Sequence, residues 1–390
     1  MIYSKLILHN TNWKKLLNSF NNNRLAHAML FHGPEGSGKE GHALELAGLL
    51  NCNSADKKQA CGKCSSCKKI KSFQHENINI ILPLPRKNIK TNRDSISKVF
   101  DGPLLKEYLE MINAKQKDPY YKIQISGANT ILINSIRDLK NSSALSVLNN
   151  EKRIILIFQA EKLCVPSAEA ANALLKFLEE PPKNTFFILI SSKPNMILDT
   201  IHSRCQKLYF PPISNDNLIT NLIENGEKRT QAKIISRISS GNMNLAKKLI
   251  YNSNSIIENL NLLIQACFNK DPLQWMKLID IISRMKNKDK HKMEQIFQCL
   301  ILFFRDILYF SSSNSNEEII FTNKKEIITK ISKTYLNTDW QLCINYIEDT
   351  QEYILRNGYV SIHIICMFLN IQKTMKKNNT KSFNLNDWII

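Results

Sequence analysis

The stretch Phe31-His-Gly-Pro-Glu-Gly-Ser-Gly-Lys-Glu40 is a phosphate-binding loop complete except at its last position. The pattern G-x-x-x-x-G-K-[ST] places glycine N–H groups around phosphates, a lysine on the terminal ones and a hydroxyl on magnesium. Gly33, Gly36, Gly38 and Lys39 are in place, and Glu40 stands where the hydroxyl belongs. The apolar run Ala28–His32 leads into the loop, and His42–Leu50 follows with helical periodicity. Strand, glycine loop and helix in that order predict an α/β fold with a phosphate loop at its centre.

Outward from the loop the alternation continues. Ile78–Leu82 reads as a second strand stopped by Pro83 and Pro85, and Ile131–Leu145 as a helix with a basic face. Arg153–Phe158 and Phe186–Ser191 are continuous apolar runs of the kind buried on both faces of a parallel sheet. Between them Ser167 is expected to cap a helix, Ala168–Glu180, that Pro181-Pro182 ends. Lys207–Phe210 is a shorter strand before Pro211-Pro212. Strands separated by helices predict a parallel sheet covered on both faces. Beyond Pro212 the strand signal disappears. Asn215–Tyr251 reads as three short helices with a break at Gly241, and helical patterns follow over Ile256–Phe268, Pro272–Met285, Met293–Tyr309, Thr338–Leu355 and Val360–Lys376. Ser311–Lys325 is polar and reads as a loop, and the basic, weakly patterned segment 83–121 reads as an insertion.

The strand that should carry the catalytic acids is Ile154-Ile-Leu-Ile-Phe-Gln-Ala-Glu161. In nucleotide hydrolases of this layout an Asp at its end holds Mg²⁺ and a following acid orients the attacking water. Phe158 and Gln159 occupy those positions, and Glu161 is expected to point away. Phenylalanine cannot bind a hard cation and glutamine cannot act as a base. With Glu40, every expected metal or water handler is replaced, so hydrolysis by this chain is not expected. ATP binding should be weak or absent.

Cys52, Cys61, Cys64 and Cys67 form C-x8-C-x2-C-x2-C. Four thiolates at this spacing suit a tetrahedral zinc ion, and four protein ligands leave no open position, so the zinc should be structural. The other cysteines are scattered among apolar neighbours and read as small core residues.

The chain has 390 residues with 53 Lys+Arg against 34 Asp+Glu, a formal charge of +19. That length implies two or three domains. The charge favours contact with a polyanion such as DNA, although Lys-, Asn- and Ile-rich composition throughout would also spread charge over solvated faces. The apolar runs fall far short of the roughly 20 residues that cross a bilayer. The start lacks the layout of a secretory signal, so a cytoplasmic protein with no membrane partner is expected.

The segment Asn172-Ala-Leu-Leu-Lys-Phe-Leu-Glu-Glu-Pro-Pro182, with Thr200-Ile-His-Ser-Arg-Cys-Gln206 and Arg24-Leu-Ala-His-Ala28, resembles the AAA+ clamp-loader subunits of bacterial DNA polymerase III. The cysteine loop after the first helix fits the same resemblance, which covers roughly residues 5–250. It implies an AAA+ core over 1–212 carrying a zinc module (52–67) and the basic insertion (83–121). A three-helix lid over 213–252 and a helical collar over 253–390 would follow, Arg305-Asp306 and Arg356-Asn357 being the only collar residues reminiscent of the family. It implies that Ser203 and Arg204 present an arginine finger in trans to a neighbouring subunit's ATP. Asn244 replaces the expected lid arginine, and Ser191 or Ser192 sits where a polar sensor follows the strand. A chain that cannot hydrolyse but keeps a finger looks like the δ′ type rather than the hydrolysing γ/τ type. Its implied partners are γ/τ-type and δ-type subunits, the sliding clamp through them, and primer-template DNA. An active γ/τ-type ATPase and a standalone zinc-stabilised DNA-binding protein are the alternatives.

Overall fold

A computed structural model describes residues 1–54, 58–89, 91, 94–143, 152–269, 271–288, 290–313, 319–321, 324–356 and 358–376. The chain forms two compact units, Met1–Ser214 with Gly241–Asn244, and Asn215–Ser240 with Leu245–Ile390.

The first unit is built on a five-stranded sheet in the order β2-β3-β4-β1-β5. The strands are β1 (Ala28–His32), β2 (Ile78–Ile81), β3 (Arg153–Phe158), β4 (Thr185–Ser191) and β5 (Gln206–Tyr209), and every pairing is parallel. Parallel pairing buries both faces, and β3 is buried at every residue. One face meets α5 (Ile133–Ser143) and α6 (Glu169–Glu179). Ile136 and Leu139 join Ala171, Leu174 and Leu178 against Leu30, Ile155, Ile157, Phe187 and Leu189. The helix after the glycine loop, α2 (Lys39–Asn51), packs on β1, β3 and β4. It is buried around almost its whole circumference, as a helix apolar on all sides must be. Its one buried acid, Glu45, accepts the N–H groups of Ile2 at 3.0 Å and Tyr3 at 2.6 Å, which satisfies the carboxylate. A helix before the sheet, α1 (Asn10–Asn21), and a short one that carries Cys67, α3 (Ser65–Lys71), complete this side.

Two local expectations change. The segment 83–121 contains a 16-residue helix, α4 (Gly102–Lys117), with Asp101 capping its N-terminus and Pro103 in the first turn. Its inward face carries Leu104, Ile112 and a lysine, Lys115, and a charged residue on the buried stripe hides the helical period. Ser167 does not cap α6. The helix starts after Ala168 without a side-chain cap, and Glu169 instead places its charge at the positive helix end. Of the helix expected over 131–145, residues 144 and 145 lie outside the described residues.

The second unit is helical: α8 (Asn215–Glu224), α9 (Arg229–Ser239), α10 (Met243–Phe268), α11 (Pro272–Lys288), α12 (Lys290–Ser313), α13 (Lys325–Thr334), α14 (Trp340–Leu355) and α15 (Val360–Lys376) follow the four-residue α7 (Asp199–His202) of the first unit. The break at Gly241 is present, but α10 runs unbroken from there through the boundary drawn at 252/253. The stretch read as a polar loop begins as the end of α12, and 314–318 and 322–323 lie outside the described residues, as does Asn357. Phe297, Phe303, Phe304, Trp340 and Phe368 are fully buried, with Phe304 edge-on to Trp340 at 6.0 Å between centroids. Asp306 on α12 is buried and accepts the N–H groups of Ile320 (3.0 Å) and Phe321 (2.8 Å). No helix among the described residues is long and apolar enough to cross a membrane.

Candidate functional site: a glycine loop, a cysteine tetrad and an exposed arginine

The glycine loop leaves the carboxyl end of β1, between β4 and β5, the usual side for a ligand in an open parallel sheet. Gly36 adopts φ +70°, and a Cβ there would lie 1.9 Å from the Asn242 side-chain oxygen, so only glycine fits beneath that residue. Lys39 is nearly buried, and its ammonium donates to Gly33 O at 2.8 Å, Pro34 O at 2.5 Å and Ser37 Oγ at 3.4 Å. Its three donors therefore close the loop on itself. Burial draws its pKa down to about 8. Around the loop Glu35, Glu40, Tyr120, Lys122, Gln159, Glu161, Ser192 and Asn244 line a cavity of about 50 Å³, against the ~300 Å³ of the smallest ordinary small-molecule pockets.

The metal side of this cavity is rebuilt. Glu40 is ion-paired to Lys115, which is fully buried. Phe158 is buried at the end of β3, and Gln159, at φ +54°, donates its side-chain amide to Ile123 O at 2.9 Å. The donor set does not fit a nucleotide-bound magnesium: one carboxylate is taken by an ammonium, one position has no oxygen, and the amide is turned elsewhere. Glu161, expected to point away, instead lines the cavity and accepts the Ser191 hydroxyl at 2.6 Å. The left-handed turn at Gln159 reverses the direction that strand alternation would give it. Lys122 pairs with Glu35 at 2.5 Å; desolvation raises the Glu35 pKa, and the Lys122 contact with the charges of Lys39 and Lys193 brings it below the usual carboxylate value. Neither Lys115 nor Lys122 carries a motif that the sequence could have announced.

The four cysteines converge. Their sulfurs all lie within 4.8 Å of one another, with Cys52–Cys64 at 3.8 Å and Cys61–Cys67 at 3.9 Å, so together they could hold one metal ion. Backbone N–H groups support them: Cys61 Sγ accepts from Lys63 (3.4 Å) and Cys64 (3.3 Å), which draws its pKa down to about 6. Cys64 Sγ accepts from Cys67 N at 3.4 Å and so caps α3. Burial pushes the Cys67 thiol up, as it would any thiol without a cation beside it. Gly62, at φ +71°, would bring a Cβ within 2.2 Å of Met1 O, so this turn too requires glycine.

Ser203 and Arg204 follow α7 and lie outside the cavity lining. Ser203 Oγ donates to Thr200 O at 3.1 Å. The Arg204 guanidinium donates to Thr200 O at 2.9 Å and pairs with Glu179 at 2.7 Å. Next to it Cys205 is buried, its pKa pushed up to about 12 by burial, and serves as core.

Known proteins show where such an assembly of parts recurs. The family described as DNA polymerase III, delta subunit matches residues 8–214. The delta' subunit of DNA polymerase III from Bacillus subtilis is 27% identical over 320 residues, covering 78% of this chain and 79% of that protein. The tau subunit from the same organism is 29% identical over 243 residues, covering 61% of this chain and 35% of that one. A delta' subunit from Buchnera aphidicola of Baizongia pistaciae is 27% identical over 234 residues, 57% of this chain and 66% of its own length. A gamma subunit-related protein of Thermotoga maritima aligns in structure over 93% of this chain and all of that one at 12% identity, with a TM-score of 0.34 too low to carry an argument. With more than half of its length matched, the chain belongs to the DNA polymerase III, delta subunit family of clamp-loader proteins.

Proposed function

We propose that the chain is a non-hydrolysing, δ′-like subunit of a cytoplasmic DNA polymerase III clamp loader, which helps place the sliding clamp on primed DNA. The observation that carries this reading is the end of β3. Phe158 closes the strand, Gln159 after it lines the same cavity as Lys39, and the lysine is bonded back to Gly33 and Pro34. Position 158 offers no oxygen to the cation, Gln159 is not a base, and the one carboxylate that follows them into the cavity, Glu161, is bonded to the Ser191 hydroxyl, so phosphoryl transfer lacks its usual electrostatic handles.

Arg204 is then the chemically useful group, acting on the ATP of a neighbouring γ/τ-type subunit. Its pair with Glu179 is roughly one-third to one-half exposed, and such pairs contribute about 0–1 kcal/mol. Exchanging Glu179 for a phosphate oxygen therefore costs little, and a guanidinium–phosphate contact is charge-assisted and two-pronged. Ser203 holds the turn that presents the arginine. The lid and collar helices supply the contacts to γ/τ- and δ-type subunits, and the +19 charge serves the DNA backbone without reading bases.

The metal of the cysteine tetrad is zinc in this reading. Four ligands at ~2.3 Å in a tetrahedron lie roughly 3.8 Å apart, which the 3.8 and 3.9 Å sulfur separations match. A closed set of four thiolates gives the ion a structural role. Reconstitution with γ/τ- and δ-type subunits tests the whole. Arg204→Ala should leave assembly intact and cut the complex's DNA-stimulated ATP turnover. Unchanged turnover would remove the finger from the account.

A further inference from the structure

Lys115 is the most unusual side chain of the first unit. It is fully buried on the inward face of α4, and its three donors are all satisfied: by the Glu40 carboxylate, by Pro119 O at 2.9 Å and by Tyr121 O at 2.6 Å. The ammonium also stands 5.8 Å from the centre of the Phe158 ring. These are two informative neighbours. Glu40 fills the loop position whose hydroxyl otherwise holds a divalent cation, and Phe158 fills the strand position whose carboxylate otherwise does. A buried positive charge thus touches both residues that have replaced the metal's ligands. The chemistry of the replacements follows from that charge: a carboxylate neutralises an ammonium as a hydroxyl cannot, and an aromatic ring tolerates it through its face.

The rest of the segment seals the arrangement. Tyr120 accepts the Ile7 N–H through its hydroxyl at 2.9 Å and lies against Gly38, Ile123 O accepts from Gln159, and Lys122 pairs with Glu35 on the loop. We propose that Lys115 is a tethered cation in the place of the divalent ion, and that the segment from α4 to Ile123, not a nucleotide, is the permanent occupant that holds this glycine loop in shape. The proposal rests on the reading of the chain as non-hydrolysing. It adds that the site was filled from within, so restoring the missing metal ligands alone does not reopen it.

The experiment compares four proteins in the full chain: wild type, Glu40→Thr, Lys115→Met, and the double variant. Thermal midpoints and equilibrium binding of a fluorescent ATP analogue, with and without Mg²⁺, are measured on each. Glu40→Thr strands the buried Lys115 ammonium and Lys115→Met leaves the partly buried Glu40 carboxylate without it, so each midpoint should fall by roughly 6–12 °C, and the double variant should recover at least half of the loss. Wild type and Glu40→Thr should show no magnesium-dependent gain in ATP affinity. Two further variants decide the cation's role. Glu40→Thr/Phe158→Asp with Lys115 retained should gain nothing from magnesium, and the same pair with Lys115→Met should gain at least tenfold. A double variant no more stable than the singles, equal magnesium response with and without Lys115, or magnesium-enhanced ATP binding by the wild type would each overturn the proposal. The wild-type arm stands even where a variant fails to fold. Assembly with partner subunits, read separately, reports on the δ′ assignment and does not depend on this outcome.

Discussion

His42 ties the glycine loop to the N-terminal segment, and its protonation should loosen both. The ring is fully buried in α2, 4.8 Å from the Phe210 ring and 6.4 Å from that of Trp13. Nε2 accepts the His9 N–H at 2.9 Å, so Nδ1 carries the proton and donates to Gly38 O at 2.8 Å. Protonating Nε2 would set two N–H groups against each other in a dry site. Burial accordingly lowers the pKa from 6.5 to about 4. The unfolded chain binds the proton below 6.5 and the folded chain does not until about 4, so stability falls as pH falls through that window. A difference of about 2.5 pKa units amounts to about 3 kcal/mol. Glu45, whose pKa is raised by burial, has the opposite slope and gains stability as pH falls toward its unfolded value. The His42 contribution is therefore read as the difference between wild type and His42→Gln. Urea denaturation at pH 7 and pH 4.5 should show the wild type losing about 2–3 kcal/mol more than the variant. Nitrogen-15 NMR should hold the ring in the Nδ1–H form throughout. Parallel stability profiles, or a ring that titrates near 6.5, would refute the buried-neutral assignment.

Other consequences are as direct. Replacing Cys64 with serine should release one equivalent of zinc, measured by metal analysis of the purified chain, and expose residues 50–71 to hydrogen exchange while leaving the far side of the sheet protected. Asp306→Ala strands the N–H groups of Ile320 and Phe321. It should cost about 1–3 kcal/mol in chemical denaturation, where a near-neutral result would mean water replaces the carboxylate. Gly36→Ala forces a side chain into Asn242 and should lower the midpoint of the first unit by calorimetry.

Much of this was written in the sequence, and the remainder was hidden for identifiable reasons. β1, β3 and β4 were legible because a parallel strand buried on both faces is an unbroken apolar run, and Gly33 marks where β1 stops. The cysteine tetrad was legible because spacing alone limits what four thiolates can do. α4 was missed because its inner stripe carries Lys115, and a lysine on the buried face cancels the period that announces a helix. Glu161 was misplaced because the left-handed Gln159 ends the strand's alternation one residue before it matters. The cap of α6 was assigned to Ser167 on residue type, where the helix begins later and is steadied by Glu169. Two of the three lie at the glycine loop: Lys115 pairs with Glu40, and Glu161 lines the same cavity. Losses at the loop were visible as missing ligands. What replaced them came from a segment more than seventy residues away, as the Glu40–Lys115 pair shows.

The silent-subunit account is tested most directly by ATP turnover of the purified chain, measured alone and then within a reconstituted loader whose other subunits carry intact catalytic acids. Alone, the chain should release no phosphate above the uncatalysed background, while the complex containing it turns over and loses that turnover on Arg204→Ala. Phosphate release by the chain alone, at a rate matching the complex and abolished by Lys39→Ala, would contradict it.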